Sequence, residues 1–176
     1  MTTLQDLQQI FPDATAETWH QHVNGGGWVQ NTATVEDTAY VGPDALVSGN
    51  ARVYGNAKVF ENAMVSGDAQ VYGNTQVQGN ARVSGNARVF GNAWVVRNAH
   101  VSGNARVSGG TWKTSPLQIQ GTRHFINMAS DTELAIGCYI HTISWWLENY
   151  QMVGEKEGYS PEEIKEYERY ILLFRQ

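Results

Sequence analysis

A valine recurs at every sixth position from Val29 to Val107, fourteen times in succession, and no insertion interrupts the series. Neither an α-helix, with about 3.6 residues per turn, nor a strand, with its alternation of about two, has that period. Counted from the valine, the fifth position is alanine in twelve of the fourteen units, with Thr75 and Thr111 as exceptions. Alanine and the next valine stand two positions apart, so both point to the same side of a short strand. The pattern predicts short strands around a narrow interior.

The third and fourth positions of the unit fall between the strands and are rich in turn-forming residues. The fourth is Asn or Asp in eleven units, and the third is usually Gly, although Pro43, Glu61 and Arg97 also stand there. Because proline holds φ near about −65°, we predict that the fourth position adopts the positive φ of a type II turn. Thr32 and Thr38 resist a positive φ, so the first two corners are expected to be irregular. The asparagines are expected to hydrogen-bond along each corner.

Units of six residues stack if three of them form one triangular coil of eighteen. Fourteen units then give between four and five coils. Over residues 29–112 the pattern resembles the left-handed parallel β-helix of hexapeptide-repeat proteins. The left hand is implied by this resemblance, since parallel crossovers are otherwise right-handed. The expected fold is mainly β, with residues 1–28 as an N-terminal helical cap and residues 113–176 as a C-terminal segment.

The two ends show different periods. At the N-terminus we predict a helix over residues 4–11 with an apolar face, a second short helix over 15–22, and a glycine hinge at 25–27. In the C-terminal segment we predict short strands at residues 117–120, 123–128 and 133–141. A helical hairpin is expected to follow, with Thr142 as one N-cap, Gly158 as a terminator, and a capping box from Ser160 to Glu163. The end segments are therefore expected to differ in architecture from the repeat.

The outward residues of the repeat fall onto three faces in steps of eighteen. Face one begins at Thr34, face two at Tyr40 and face three at Trp28. Face one should stack aromatic residues beside a column of arginines. The stack is either a ladder that stabilises neighbouring strands, with the arginines for solubility, or a contact surface. Arg88 and Arg106 stand one coil apart and should repel unless an acid of a partner or a bound anion lies between them. Face two should expose an apolar band that includes Val96, covered either by the C-terminal hairpin or by another subunit. The apolar half of face three is expected to lie under the N-terminal helix.

The candidate binding residues lie on two faces and in the tail. Residues 131–176 contain eight aromatic residues, more than an end cap requires. The predicted binding or interface residues are Arg52, Tyr54, Tyr72, Arg88, Phe90 and Arg106 on face one, Phe60, Trp94 and Trp112 on face two, and Trp145 and Trp146 in the tail.

An enzymatic alternative follows from the resemblance. Many hexapeptide-repeat proteins are trimeric acyltransferases that take an acyl-CoA donor and use a histidine as general base. Those enzymes extrude a loop to build the acceptor site, and this repeat has none. His100 is the one histidine inside the repeat, while His20 and His22 lack a third ligand for a metal. We expect no catalytic residue, no metal and no cofactor.

Composition narrows the classes of function further. The chain has a net charge of −5 and one cysteine, Cys138, which excludes an internal disulfide and fits a reducing compartment. It lacks an apolar run of membrane-spanning length and the pattern of a signal peptide, so a cytoplasmic protein is expected. The repeat is too basic for a DNA mimic and has no threonine array for binding ice. We expect neither a membrane nor a nucleic acid as partner.

The sequence thus predicts a non-catalytic, oligomeric binding or scaffold protein that forms a dimer or trimer. The C-terminal segment resembles segments attached to such repeats in phage and prophage proteins. That resemblance implies a phage-encoded protein that binds a host protein or a small nucleotide signal and inhibits host antiviral defence.

Overall fold

The computed structural model describes residues 1–175 of the chain. In chain order the elements are α1 (Leu4–Ile10), β1 (Trp19–Gln21), β2 (Trp28–Gln30), β3 (Thr34–Val35), β4 (Tyr40–Val41), β5 (Leu46–Val47), β6 (Arg52–Gly55), β7 (Lys58–Val59), β8 (Met64–Val65), β9 (Gln70–Gly73), β10 (Gln76–Val77), β11 (Arg82–Val83), β12 (Arg88–Val89), β13 (Trp94–Val95), β14 (His100–Val101), β15 (Arg106–Val107), β16 (Thr111–Trp112), β17 (Gln118–Gln120), β18 (Phe125–Met128), β19 (Glu133–Ile136), β20 (Tyr139–Thr142), α2 (Ile143–Lys156) and α3 (Pro161–Leu173).

Strands β2 to β16 form a parallel β-solenoid of five coils, and the predicted mainly β fold is confirmed. Each strand pairs with the strand three units later, so that Val29 lies beside Val47 and Val47 beside Val65. Three parallel sheets result, and they are the three predicted faces. The register of eighteen residues follows directly from the six-residue unit, since three units complete one coil. The left hand of the coil stays a prediction from the resemblance.

The interior of the solenoid is a column of valines and alanines. From Ala39 to Val107 the inward valines and alanines are fully buried. Each buried valine contributes roughly 1.5–3 kcal/mol relative to its exposed state. Thr75 takes an alanine position at 0% exposure, and its hydroxyl has no hydrogen-bond partner in the structure. The repeated core, and not any single contact, therefore stabilises the solenoid.

The corners of the solenoid contradict the predicted turn. At every corner from Gly49 to Gly103 the third position has positive φ, including Glu61 at 56° and Arg97 at 60°. Positive φ followed by negative φ at the fourth position is the sign pattern of a type II′ turn. The prediction was wrong because it generalised from Pro43, whose corner is one of three early corners without positive φ. The first two corners are irregular as predicted.

Side chains at the fourth position form hydrogen-bonded ladders along the corners, as predicted. Each bond joins residues eighteen apart at 3.1–3.3 Å, in the pairs Asn50–Asp68, Asn56–Asn74, Asn62–Asn80, Asn74–Asn92, Asn80–Asn98 and Asn86–Asn104. At the irregular corners the hydroxyls of Thr32 and Thr38 donate instead to the carbonyls of Gly49 and Gly55 in the next coil. The ladders tie each coil to its neighbour.

The N-terminal cap covers the apolar half of face three, as predicted. Helix α1 is capped by a Thr3–Asp6 capping box and buries Leu7 in a cluster with Trp19 and Leu46. The predicted second helix over 15–22 is wrong, because Trp19–Gln21 forms β1, antiparallel to β2. The open backbone groups at the edge of β2 are satisfied by this pairing, which outweighs local helix propensity. The cap thus closes one end of the solenoid.

The glycine run leads directly onto the first coil. A Cβ atom at Gly25 would lie 2.3 Å from the carbonyl oxygen of Val41, so a side chain would collide with the backbone there. The N–H of Gly27 donates to that same carbonyl at 2.9 Å. The glycines allow the chain to lie flat against the end of β4.

The C-terminal module, residues 117–175, packs a four-stranded antiparallel sheet, β17 to β20, against helices α2 and α3. The predicted strand over 133–141 is in fact two strands joined by a turn at Gly137, whose φ is 57°. The helical hairpin, its N-caps Thr142 and Ser160 and its terminator Gly158 are as predicted. Among the described residues no helix is both long and apolar enough to cross a membrane.

Candidate functional site

The aromatic ladder on face one forms as the sequence indicates. The rings of Tyr54 and Tyr72 stack with centroids 4.7 Å apart, and those of Tyr72 and Phe90 stack at 5.3 Å. Burial between neighbouring coils, followed by the nearby Tyr72 hydroxyl, raises the pKa of Tyr54 above its usual value. Arg52 and Arg88 are exposed beside the ladder. Face one is thus a stacked aromatic strip with basic residues at its side.

Arg106, at the end of face one, is held within the chain. Its Nη1 donates to the carbonyls of Cys138 at 2.8 Å and Gly137 at 3.4 Å, and its guanidinium carbon lies 6.0 Å from the centre of the Phe90 ring. The prediction for this pair was an acid of a partner or a bound anion between Arg88 and Arg106. The turn between β19 and β20 supplies carbonyl oxygens in its place, so Arg106 joins the solenoid to the C-terminal module.

Face two carries little charge. Its outward residues in the first four coils include one charged side chain, Lys58. Trp94 is 42% exposed, Phe60 is half-buried and Val96 is buried. Beside this face an open groove of about 630 Å³ is lined by Asn24, Thr38, Tyr40, Asn56, Lys58 and Phe60. The groove continues face two toward the N-terminal end.

Trp112 does not belong to the outward band of face two, which corrects the sequence analysis. A step of eighteen would place it beside Trp94, but Trp94 pairs with Thr111, and Trp112 pairs with Val95. The shift of one residue brings the indole into the inward column, where it packs against the solenoid core. Without the shift Lys113 would occupy that apolar place, at a large desolvation cost. Trp112 therefore closes the C-terminal end of the interior.

The C-terminal hairpin does not cover face two in the described part of the chain. Its helices bury their apolar faces against β18 and β19, in a cluster that contains Tyr167, Ile171 and Phe174. The module instead docks on the last coil, where Asn127 accepts from the Arg106 N–H at 3.0 Å and donates to the Arg106 carbonyl at 2.8 Å. The prediction that the hairpin covers face two is therefore wrong, and cover by another subunit stays a prediction.

The two adjacent tryptophans of the tail have different environments. Trp146 is 2% exposed and its indole N–H donates to the Leu134 carbonyl at 2.9 Å, so it belongs to the core of the module. The helix turns Trp146 toward the sheet, so the predicted binding role of this residue is not one of an exposed surface side chain. Trp145 is half-buried and its ring stacks on His141 with centroids 3.6 Å apart.

A cavity of about 160 Å³ lies between the helical hairpin and the antiparallel sheet. Five aromatic side chains and one carboxylate are prominent in its lining, namely Tyr139, Trp146, Tyr150, Tyr159, Tyr167 and Glu157. This cavity was not predicted from the sequence. The count of eight aromatic residues in the tail was the available signal, but their convergence depends on how α2 and α3 pack on the sheet.

Hydrogen bonds and burial fix the polar groups of the cavity. The Tyr139 hydroxyl donates to Glu157 Oε1 at 2.9 Å, and this bond raises the pKa of Tyr139 above its usual value. Burial, followed by the neighbouring Tyr167, raises the pKa of Tyr159 well above its usual range. The Tyr167 hydroxyl accepts from the N–H groups of Arg123 and His124 and donates to the His124 carbonyl. Tyr139 and Tyr159 are therefore neutral at physiological pH.

His20, His22 and His100 lie in separate surroundings. His100 is exposed on face three, and its backbone N–H donates to Ser115 Oγ at 3.0 Å. His22 is buried with its Nε2 3.0 Å from the Ala39 carbonyl, and His20 pairs with Asn31. Within residues 1–175, no three His, Cys, Asp or Glu side chains form a group suited to a metal ion. His20 and His22 therefore have partners in the first coil, and His100 is exposed on the solenoid.

A family model of the YdcK β-solenoid repeat matches residues 45–59, 81–97 and 99–113. These stretches lie almost wholly in the solenoid, and they support a β-solenoid repeat protein. No curated protein and no solved structure matches the chain.

Proposed function

We propose that the protein is a non-catalytic binding and scaffold protein that self-associates through face two. The observation that supports this most is the combination of an exposed Trp94, at 42%, with a nearly uncharged sheet surface. Exposed apolar residues beside polar ones are typical of an interface, and on face two Trp94 and Phe60 lie on either side of Gln76 and Gln78. Neither the N-terminal cluster nor the module cluster includes Trp94 or Phe60.

The two closed ends restrict how copies can associate. At one end β1 pairs with β2, and at the other Trp112 and the module cover the last coil. Edge strands that are already paired or covered do not template further strands. Side-by-side contact on a face is then favoured, and a two-fold or three-fold arrangement of such contacts closes as a dimer or trimer.

A second copy of this chain is the occupant that fits face two best. Neighbouring coils repeat at roughly 4.8 Å along the axis, and a second prism repeats with the same spacing. Side chains of one copy can then meet equivalent gaps of the other along several coils. The near absence of charge on this face also removes the repulsion that two like-charged faces would have.

Light scattering after size-exclusion chromatography tests this proposal. We expect the native protein to be a dimer or trimer and Trp94→Glu to be a monomer, since two glutamates would meet in the interface. Met152→Glu is the matched control, because Met152 is an exposed apolar residue, at 56%, on α2 and away from face two. It should leave the oligomer intact. A stable native monomer would contradict the proposal.

The resemblance extends this proposal to a phage-encoded hexapeptide-repeat protein that acts in the cytoplasm on a host protein or a small nucleotide signal. A pull-down from host lysate, performed beside mass spectrometry of small molecules released from the purified protein, separates the two kinds of partner. The alternative of an acyl-CoA-dependent transferase is tested by calorimetry with acetyl-CoA, and an absence of heat at millimolar donor would argue against it.

A further inference from the structure

The cavity of the C-terminal module differs from the groove beside face two in what surrounds it. The groove is open and lined by residues from the corners and one sheet face, whereas the cavity lies between two layers of the module. Its volume of about 160 Å³ is close to that of a protein cavity, about 150 Å³, that holds a benzene molecule. A ligand of about six or seven non-hydrogen atoms, by that measure, would fill it.

The hydrogen-bonding groups in the lining are largely committed to the protein. The Trp146 N–H is bonded to the Leu134 carbonyl, and the Tyr167 hydroxyl is bonded to the backbone at residues 123 and 124. A neutral polar ligand would therefore find few free partners. What the lining offers is aromatic surface together with the Glu157 carboxylate, which lies at the C-cap of α2 and is exposed at the edge of the module.

Aromatic ring faces beside a carboxylate favour an organic cation. The negative face of the ring attracts a cation, and groups of tyrosine and tryptophan recognise ammonium ions that carry alkyl groups. The module already contains one such contact, since the guanidinium of Arg123 lies 4.7 Å from the centre of the Tyr159 ring. The charge of Arg123 is balanced by Glu163 at 2.8 Å. The Tyr159 ring therefore already contacts one cation, the side chain of Arg123.

The charge of the module favours the same class of ligand. Residues 131–176 carry nine acidic residues against four basic ones. Their combined field attracts cations toward this end of the molecule. Glu157 is the one acidic residue that lines the cavity.

We propose that the cavity binds a small organic ammonium ion with methyl or short alkyl groups on its nitrogen, the alkyl groups against the aromatic side chains and the charge toward Glu157. This site is separate from face two, so the inference does not depend on self-association. It gives the module a ligand of its own, which the solenoid presents on a rigid support.

Choline and its neutral isostere 3,3-dimethyl-1-butanol are the probes for this site. They have nearly the same shape and differ in charge. Titration of the full-length protein, followed by calorimetry and tryptophan fluorescence, should give saturable binding of choline. The alcohol should bind at least about tenfold more weakly, because it lacks the attraction to the rings and to Glu157. Equal binding of the alcohol, or no saturation by choline, overturns the proposal.

Two substitutions and one control locate the site. Glu157→Gln removes the charge and Tyr150→Leu removes one ring, and each should weaken choline binding by about tenfold. Glu155→Gln is the matched control, since Glu155 is also exposed near the end of α2 but does not line the cavity. It should bind choline as the native protein does. Circular dichroism of each variant establishes that it is folded, and native binding by folded Glu157→Gln contradicts the assigned role.

Light scattering on the same samples separates this inference from the proposed self-association. A monomer that binds choline keeps the inference and overturns the scaffold proposal. An oligomer that does not bind choline overturns the inference and keeps the scaffold proposal.

Discussion

The solenoid and the C-terminal module bury their cores in different ways. In the solenoid every coil contributes the same small side chains, and every contact between coils joins residues about eighteen positions apart. In the module a few large side chains from distant positions meet, such as Ile126, Trp146 and Ile171. The first arrangement distributes stability evenly along the axis. The second concentrates it in a few residues, and it also leaves a cavity among them.

The largest expected effect is the loss of one concentrated contact. Trp146→Ala should destabilise the module by about 3–5 kcal/mol, because it removes a buried indole that also bonds to Leu134. Val71→Ala, in the middle of the solenoid, should cost about 2 kcal/mol. Hydrogen exchange measured by mass spectrometry should show faster exchange confined to residues 117–175 in Trp146→Ala. Faster exchange across the solenoid as well would mean that the two regions unfold as one unit.

A smaller effect is expected at the corners, where a third-position residue of one unit should be replaceable by the glycine that most other units have there. Arg97 has positive φ, which costs a residue with a Cβ atom about 1–2 kcal/mol, while glycine loses about 0.5–1 kcal/mol of chain entropy. Arg97→Gly should therefore stabilise the protein by about 0.5–1 kcal/mol in denaturant unfolding.

Glu61→Gly provides the contrast to Arg97→Gly. Glu61 has the same backbone conformation, but its carboxylate accepts from the Gly79 N–H at 2.7 Å. Loss of this bond offsets the relief of strain, so no stabilisation is expected. Equal stabilisation by both substitutions would show that the hydrogen bond contributes nothing and that the corners are interchangeable.

The smallest effect concerns pH and distinguishes the module from the solenoid. The Ser160 N–H, followed by Arg123, holds the pKa of Glu163 below its usual value of 4.5. A carboxyl with a lowered pKa in the folded state contributes stability that is complete above the usual value and is lost as the pH falls through the lowered one. The start of α3 should therefore loosen below pH 4.5, whereas the Asn–Asn pairs at the corners of the solenoid have no titratable group.

Amide exchange at Glu163 and along the solenoid, compared at neutral and acidic pH, measures this difference. Glu163→Gln should remove the pH dependence at the start of α3. A solenoid that loosens over the same pH range as α3 would contradict the distinction.

Several features of the site required more than sequence. Face one and its aromatic ladder follow from counting in steps of eighteen, and so does the exposure of Trp94. The same counting placed Trp112 on the outside, because it could not detect that the register shifts where the period ends. The carbonyl partners of Arg106 could not be predicted from the sequence. The turn at Gly137 and Cys138 lies beside Arg106 because the module docks on the last coil.

The six-residue period determined the strands, the inward column, the three faces and the corner ladders, because in a solenoid spatial neighbours lie at a fixed distance in sequence. It did not determine which corner residue has positive φ, because the prediction was generalised from Pro43. It also did not determine the pairing of β1 with the open edge of β2. In the module the tertiary structure decided that Trp146 is buried and that the tyrosines meet Glu157 around a cavity. Contacts there join residues with no common spacing, so they depend on the packing of helices and sheet and cannot be counted from the chain.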